Sequence, residues 1–395
     1  MPQSYRKMKI QGCLYNKGIQ FMNVLHLLIS GNVGGIEKLI LSYARYSKLN
    51  NIFAFVLGGG VIYDEMIQNH FNVQSLFNKS NSQNNHFNIH NIYTIYNSIC
   101  RIIIENDVNI VVEHHSSPLL VFFLTLIKKK FPFIKIVEYA HCNASYMVQQ
   151  KKLKKTLIRK LIFSLSFKKF DKIIAISESV KRSLFDYFKL TCTQVVLVYN
   201  GVDLGHYLCL DREYSSRNNG KVIFVGRLVV DKGVHKIIQA AKLLPSSFKF
   251  TIVGDGPYKE NLIQMASNAK NIEFLGERND VPLLLSQHDI FVHLPICDEG
   301  FGLTVVEALA SGLICIVNRK GGLPEIIDDG VNGYIIDDSP EVLAKKILSI
   351  KDYSVFNKSS IKKANEFSIF NFVKNLDCLF NNLIQENSTN YASYS

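Results

Sequence analysis

Glu299-Gly-Phe-Gly-Leu-Thr-Val-Val-Glu307 places one carboxylate before a glycine turn and a second inside the helix that follows. Gly300-Phe-Gly302 opens that helix, which reads as Leu303 to Ala310 and stops at Gly312. The first N–H groups of a helix lack partners and attract anions, so a diphosphate fits there. A carboxylate is a good acceptor for a pair of sugar hydroxyls. Taken singly, each glutamate has a plainer reading. Glu307 is then a solvated helix-face residue and Glu299 a loop carboxylate favoured by the helix dipole.

Working outward, short apolar runs flank the segment. Ile290-Phe-Val292 precedes it and Ile314-Cys-Ile-Val317 follows. Lys221-Val-Ile-Phe-Val225 and Phe250-Thr-Ile-Val253 read as further strands, and Val234, Ile237, Ile238, Ala241 and Leu244 mark one helix face. The first half repeats the pattern. Met22 to Ile29 is strand-like, Ser30-Gly-Asn-Val-Gly-Gly35 is a loop, and Ile36, Leu39, Ile40, Tyr43 and Ala44 recur at helical spacing. Asn109–Val112, Ile134–Val137, Lys172–Ile176 and Val195–Val198 are buried strands, and Ser177 is placed to cap a helix. Strands alternating with helices imply two α/β halves with parallel sheets. Ligands of such sheets bind beyond the carboxyl ends of the strands, so the cleft between the halves is the expected site.

The expected domains are 1–20, a poorly ordered extension; 21–203, the N-terminal domain; 204–368, the C-terminal domain; 369–385, a helix that returns to the N-terminal domain; and 386–395, a polar tail. A start at Met22, in place of Met1 or Met8, accounts for residues 1–20 equally well. Phe77 to Asn91 reads as an Asn/Ser-rich loop, and the polar stretch to Gly220 as the linker.

The chain has 395 residues, 47% of them apolar and 20% charged, which excludes a disordered protein. Its net charge of +12 calls for an anionic partner: nucleic acid, a phosphorylated small molecule or an acidic membrane. Nucleic acid is disfavoured, because the basic patch lacks interleaved aromatics and no binding motif is present. The eight cysteines form no C-x-x-C pair, which suggests a reducing cytosol and no structural zinc. The longest apolar run, Pro118 to Ile127, falls short of the ~20 residues that span a bilayer. A cytoplasmic protein is expected, peripheral to the inner face of the membrane if the basic stretch 128–172 docks there. In that stretch Leu153, Leu157, Leu161 and Leu165 recur every four residues among Lys151, Lys152, Lys154, Lys155, Arg159 and Lys160. A membrane-surface helix and a domain helix with its leucines in the core fit this pattern equally.

Glycines gather where strands end: Gly34 and Gly35, Gly226, Gly254 with Gly256, Gly300 with Gly302, and Gly321 with Gly322. Arg227 and Lys232 flank one such turn and suit a diphosphate, although an arbitrary pair of this kind is more often solvated surface charge. In order along the C-terminal half come Phe224-Val-Gly-Arg-Leu228 with Lys232-Gly233, Val253-Gly-Asp-Gly-Pro257, Glu299 to Glu307, Ala310-Ser-Gly312, Gly321-Gly-Leu-Pro-Glu-Ile326 and Asn332-Gly333. This ordered set resembles glycosyltransferase family 4, the retaining GT-B enzymes with an E-x7-E motif. The N-terminal half matches more loosely, at Gly34-Gly-Ile-Glu37, the two histidine segments, Ala175-Ile-Ser-Glu178 and Asn200-Gly-Val-Asp203.

The resemblance implies a GT-B architecture, two Rossmann-like parallel-sheet domains facing across a cleft. It implies transfer of a hexose-type sugar, with retention, from a nucleoside diphosphate sugar to a glycan or lipid-linked acceptor in bacterial surface polysaccharide biosynthesis. By this resemblance Glu307 holds the ribose and Glu299 the donor sugar. The backbone from Gly300 through Phe301, Gly302 and Leu303 to Thr304 lines the sugar and diphosphate, as do the turns at Gly226 and Gly254. Arg227 and Lys232 stabilise the leaving diphosphate, and Gly34 and Gly35 close over it. His141 lies near the transferred sugar, with His115 a second candidate, and the backbone from Arg278 to Val281 holds the base. A UDP-sugar is favoured over GDP-mannose. No D-x-D sequence occurs, so no metal or other cofactor is expected. A GT-B sugar-nucleotide epimerase and a non-catalytic nucleotide-sugar binder are the alternatives. A NAD enzyme needs a G-x-G-x-x-G that Gly31-Asn-Val-Gly-Gly35 does not provide.

Overall fold

The computed structural model describes residues 22–76, 89–149, 153–207 and 220–392. The extension 1–20 and most of the expected linker, 208–219, lie outside the described residues. Seven parallel strands form the first sheet: β1 (Asn23–Leu28), β2 (Asn50–Phe55), β3 (Asn72–Ser75), β4 (Ile110–Glu113), β5 (Lys135–Ala140), β6 (Lys172–Ala175) and β7 (Val195–Leu197). Six form the second: β8 (Lys221–Val225), β9 (Lys249–Val253), β10 (Ile272–Gly276), β11 (Ile290–His293), β12 (Ile314–Asn318) and β13 (Gly333–Ile336).

The orders are β3-β2-β1-β4-β5-β6-β7 and β10-β9-β8-β11-β12-β13. Every pairing within them is parallel, with helices on both faces. β4, β5 and β12 are therefore buried along their length and largely apolar, although β4 and β5 each carry a buried glutamate, Glu113 and Glu138. Each order reverses once, between β1 and β4 and between β8 and β11, and the loops leaving those strands splay apart to make a crevice. Two such domains facing across a cleft are the expected GT-B architecture.

The chain crosses between the domains twice, side by side. Val202 donates to Phe367 O at 2.9 Å and Ile369 donates to Val202 O at 2.8 Å. The last helix, Ile369–Ala392, then packs on the N-terminal domain, where Tyr43 Oη donates to Asp377 Oδ1 at 2.7 Å. It continues through part of the stretch expected as a polar tail. Residues 77–88 of the Asn/Ser-rich loop lie outside the described residues, but its end differs from expectation: a helix already begins at Ile89 and runs to Glu105. The amphipathic run Ile92, Tyr96, Ile99 and Ile103 draws it onto the sheet.

The leucine stripe does not face the core. In the helix Leu153–Phe167, Leu153, Leu157, Leu161 and Leu165 are each more than half exposed, and Phe163 and Phe167 are the buried anchors.

Candidate active site

Both crevices open into the cleft, and each carries a carboxylate with a cationic or histidine partner. In the C-terminal domain, Lys232 on the loop after β8 reaches Glu299 on the loop after β11, with Nζ 2.6 Å from Oε2. His293, the last residue of β11, donates from Nε2 to the same oxygen at 2.9 Å. Burial by itself would raise the Glu299 pKa. The His293 hydrogen bond and the Lys232 charge overcome it and hold the carboxyl well below the usual range, so Glu299 is ionised at neutral pH. His293 was not anticipated from sequence. The apolar run ends at Val292, and only the fold brings a residue six positions upstream back onto the motif.

Gly302 takes φ +111° to turn the chain into the helix Leu303–Ala310, a conformation that favours glycine. The helix start, with Leu303 and Thr304 half-buried, points into the cleft. Phe301 turns its side chain away from the loop. Its side chain is buried against Tyr199 and Phe367 where the chain crosses between domains, at ring separations of 5.9 and 5.3 Å, so only its backbone faces the loop. Glu307 lies further along the helix, beside Tyr207 and the positive Lys38 of the opposite domain. Burial raises its pKa to about 7, against the pull of Lys38 and the Tyr207 hydrogen bond. Neither Tyr207 nor Lys38 was signalled by a motif.

The N-terminal wall meets this loop closely. A Cβ on Gly300 would stand 2.5 Å from the His141 carbonyl oxygen, and one on Gly35 would touch only Leu303, at 3.7 Å. Asn143 Nδ2 donates to Asp298 Oδ2 at 3.1 Å, and Tyr146 Oη to Asp231 Oδ2 at 2.8 Å. The His141 ring stacks on Tyr139 at 4.4 Å, and its buried Nε2 has no partner among the described residues. Burial and the neighbouring His115 push its pKa well down, so it stays neutral.

Gly34 stands against Glu37. The space a Cβ would fill is taken by the Glu37 carboxylate, whose other oxygen accepts from His115 Nε2 at 3.0 Å. Gly254 likewise makes room for the Gly226 carbonyl, so this glycine pair packs two strand ends together. Arg227 is exposed, with no ion pair among the described residues. Arg278 is also exposed and is held by Asp280 at 2.8 and 2.6 Å, one residue before the helix that Val281 begins.

Residues 33–206 match the family described as Glycosyltransferase Family 4, and residues 211–367 match Glycosyl transferases group 1. The chain belongs to glycosyltransferase family 4. Among curated relatives, an uncharacterized glycosyltransferase of Methanocaldococcus jannaschii is 32% identical over 55% of this chain and 60% of its own length. The chain thus spans about three fifths of that curated relative. The UDP-Gal:alpha-D-GlcNAc-diphosphoundecaprenol alpha-1,3-galactosyltransferase of Escherichia coli is 27% identical over 61% of this chain and 67% of its own. Among solved structures, Anabaena HepE in complex with UDP and glucose aligns with a TM-score of 0.74 at 20% identity. The alignment covers 90% of this chain and 98% of that one, a likeness of fold. No helix among the described residues is long and apolar enough to cross a membrane.

Proposed function

We propose that this glycosyltransferase moves a hexose-type sugar from a nucleoside diphosphate donor, with retention at the anomeric carbon, to a glycan or lipid-linked acceptor of a bacterial surface polysaccharide. The observation that carries this reading is the ion-paired Glu299 in front of the Gly302 helix start, facing His141 across the cleft. An ionised carboxylate there accepts donor-sugar hydroxyls, and Glu307 accepts those of the ribose. As the C1–O bond to the diphosphate breaks, negative charge collects on the leaving oxygen. In this reading Lys232, Arg227 and the first N–H groups of Leu303–Ala310 stabilise it, with no metal required. The bond to the acceptor oxygen forms on the face the diphosphate leaves, and the acceptor proton passes to the departing phosphate oxygen.

A UDP-sugar donor is favoured by the UDP and glucose bound in HepE and by the UDP-Gal used by the Escherichia coli relative. A thermal-shift screen across nucleotide sugars finds the donor, since a ligand that binds only the native state raises its apparent stability. Anomeric analysis of the product then decides the reaction. A product of inverted configuration, or a freed epimerised sugar nucleotide, refutes the proposal.

The exposed leucine ladder supports a lipid-linked acceptor. Phe122 and Leu126 on the neighbouring helix Pro118–Lys130 continue it, and Lys129, Lys130, Lys154 and Lys155 are exposed along its borders. Lys128 is engaged by Asp171 at 2.8 Å and Lys160 lies over the Tyr187 ring at 4.3 Å, while Lys151 and Lys152 lie outside the described residues. We infer that this face rests on acidic lipid, with leucines among the acyl chains and lysines at the headgroups.

A further inference from the structure

The Gly321-Gly-Leu-Pro-Glu-Ile326 segment has so far only a likeness to recommend it. Its carboxylate, Glu325, reaches across the domain boundary. The helix Glu178–Phe188 of the N-terminal domain starts there, and its first N–H groups need partners from outside the helix. Ser177 Oγ accepts one of them, from Val180, at 3.1 Å. The next two go to the other domain. Glu178 N donates to Glu325 Oε2 at 2.8 Å and Ser179 N to Glu325 Oε1 at 2.9 Å. Of these three N–H groups, one is therefore capped from within its own domain and two from the opposite one.

The same cap holds the loop in front of the helix Leu303–Ala310. Ser177 Oγ donates its proton to the Gly300 carbonyl at 2.7 Å. Gly322 N donates to Glu299 O at 2.8 Å, which ties Glu325's own turn to the same loop. No slack remains between these segments. A Cβ on Gly322 would stand 2.8 Å from Gly300 O and 3.0 Å from the Ser177 Cβ.

We propose that Glu325 and Ser177 are positioning residues: they set Gly300 against His141 across the domain boundary before any donor binds. This rests on the reading of Glu299–Gly302 as the donor-sugar loop. Both Glu325 bonds are charge-assisted and lie at a helix N-terminus, where a carboxylate is favoured. Loss of the charge weakens them and frees the loop that Ser177 grips.

The test is amide hydrogen exchange on the ligand-free chain and on Glu325→Gln, which keeps the shape and removes the charge. Exchange at Glu178 and Ser179 should rise by roughly tenfold, the equivalent of one charge-assisted hydrogen bond. It should also rise at Gly300 and Phe301, across the boundary, while β6 stays protected. Ser177→Ala should loosen Gly300 and Phe301 in the same way. Unchanged exchange at Gly300 and Phe301 in both variants overturns the proposal, even if Glu178 and Ser179 respond, because Glu325 would then cap a helix and position nothing. A general rise that includes β6 overturns it as well. Calorimetric titration of wild type with UDP-glucose is run alongside, followed by kinetics with the donor found in the screen. A wild type that binds no nucleotide sugar counts against the donor reading and leaves the exchange result standing. With the donor in hand, kcat should fall roughly tenfold with KM little changed. A merely structural role would lower the active fraction and with it the apparent kcat, so kcat is referred to the active protein counted from the stoichiometry of the donor titration, on which basis such a role leaves kcat at the wild-type value.

Discussion

Donor affinity should rise with pH through neutrality, and Glu307 is the reason. Burial carries its pKa from 4.5 to about 7. Ionising it in the empty cleft therefore costs about 3 kcal/mol more than in water. A carboxyl with a raised pKa contributes stability that is fully present below its unfolded value and is lost as pH rises through the folded one. For Glu307 that window runs from 4.5 to about 7, so the empty protein should lose stability across it. Ribose hydroxyls donating to the carboxylate offset the cost, so the bound donor favours the ionised form. The ionised fraction rises from about one tenth near pH 6 to about nine tenths near pH 8, which predicts a dissociation constant lower by about tenfold at the higher pH. Titration calorimetry with UDP-glucose in buffers of different ionisation enthalpy measures both the affinity and the proton released. The diphosphate of a nucleotide sugar is esterified at both ends and does not titrate here, and His141 stays neutral throughout. Glu307→Gln should flatten the dependence. An affinity that does not change over this range, or a Gln variant with the wild-type slope, refutes the argument.

Four further outcomes are expected. Glu299→Gln should lower donor turnover by roughly 10²–10³-fold, the scale of a lost transition-state contact, with donor turnover at the wild-type rate as the contrary result. Activity should survive EDTA without stimulation by magnesium or manganese; loss in EDTA with recovery on adding either ion would show that a metal shares the leaving-group charge. The buried His26, held 3.0 Å from His114, has its pKa pushed down to about 4 by burial, against the Asn51 hydrogen bond. A depressed histidine contributes stability that is present above its unfolded value of about 6.5 and lost as pH falls, by up to about 3 kcal/mol near pH 4. His26→Gln should shrink that acid limb of the melting curve, and an unaltered limb counts against it. Leu157→Glu with Leu161→Glu should reduce co-sedimentation with anionic vesicles by at least roughly tenfold, given about 1.5–3 kcal/mol per buried leucine, at little change in melting temperature. Equal binding of wild type to neutral and anionic vesicles would remove the electrostatic half of the proposal.

What could be read from the sequence follows from burial. The central strands β1, β4, β5, β8, β11 and β12 are covered on both faces, so they appear as short, largely apolar runs, interrupted in β1 by His26 and in β5 by Glu138. The strands not recognised, β2, β3, β10 and β13, either lie at sheet edges or begin with polar residues. Asn72-Val-Gln-Ser75 has no buried residue at all. The helix Leu303–Ala310 was legible because glycines bracket it. The partners of its two glutamates were not. His293 meets Glu299 only because β11 ends beside the loop that Lys232 occupies, and Tyr207 meets Glu307 only because the chain crosses between domains there. Gly34 shows the converse limit. The glycine is legible in its strand–helix turn, but the Glu37 carboxylate that stands against it, three residues on, is not.

The burial of Phe301 bears on any mutational scan of Glu299 to Glu307. An alanine at position 301 leaves the cleft wall chemically unaltered. It opens a hole among Tyr199, Phe367 and the two chain crossings, a loss on the order of 3–5 kcal/mol for a buried phenylalanine. Such a variant would rank beside Glu299 substitutions on a list of inactive proteins, for an unrelated reason. The two are told apart by warming. A position-301 defect worsens with temperature and is relieved by cooling or by saturating nucleotide, whereas a missing Glu299 carboxylate leaves a cold, well-folded protein equally inactive. Within nine consecutive residues, the chain thus interleaves side chains answerable to the reaction with one answerable to the joint between domains.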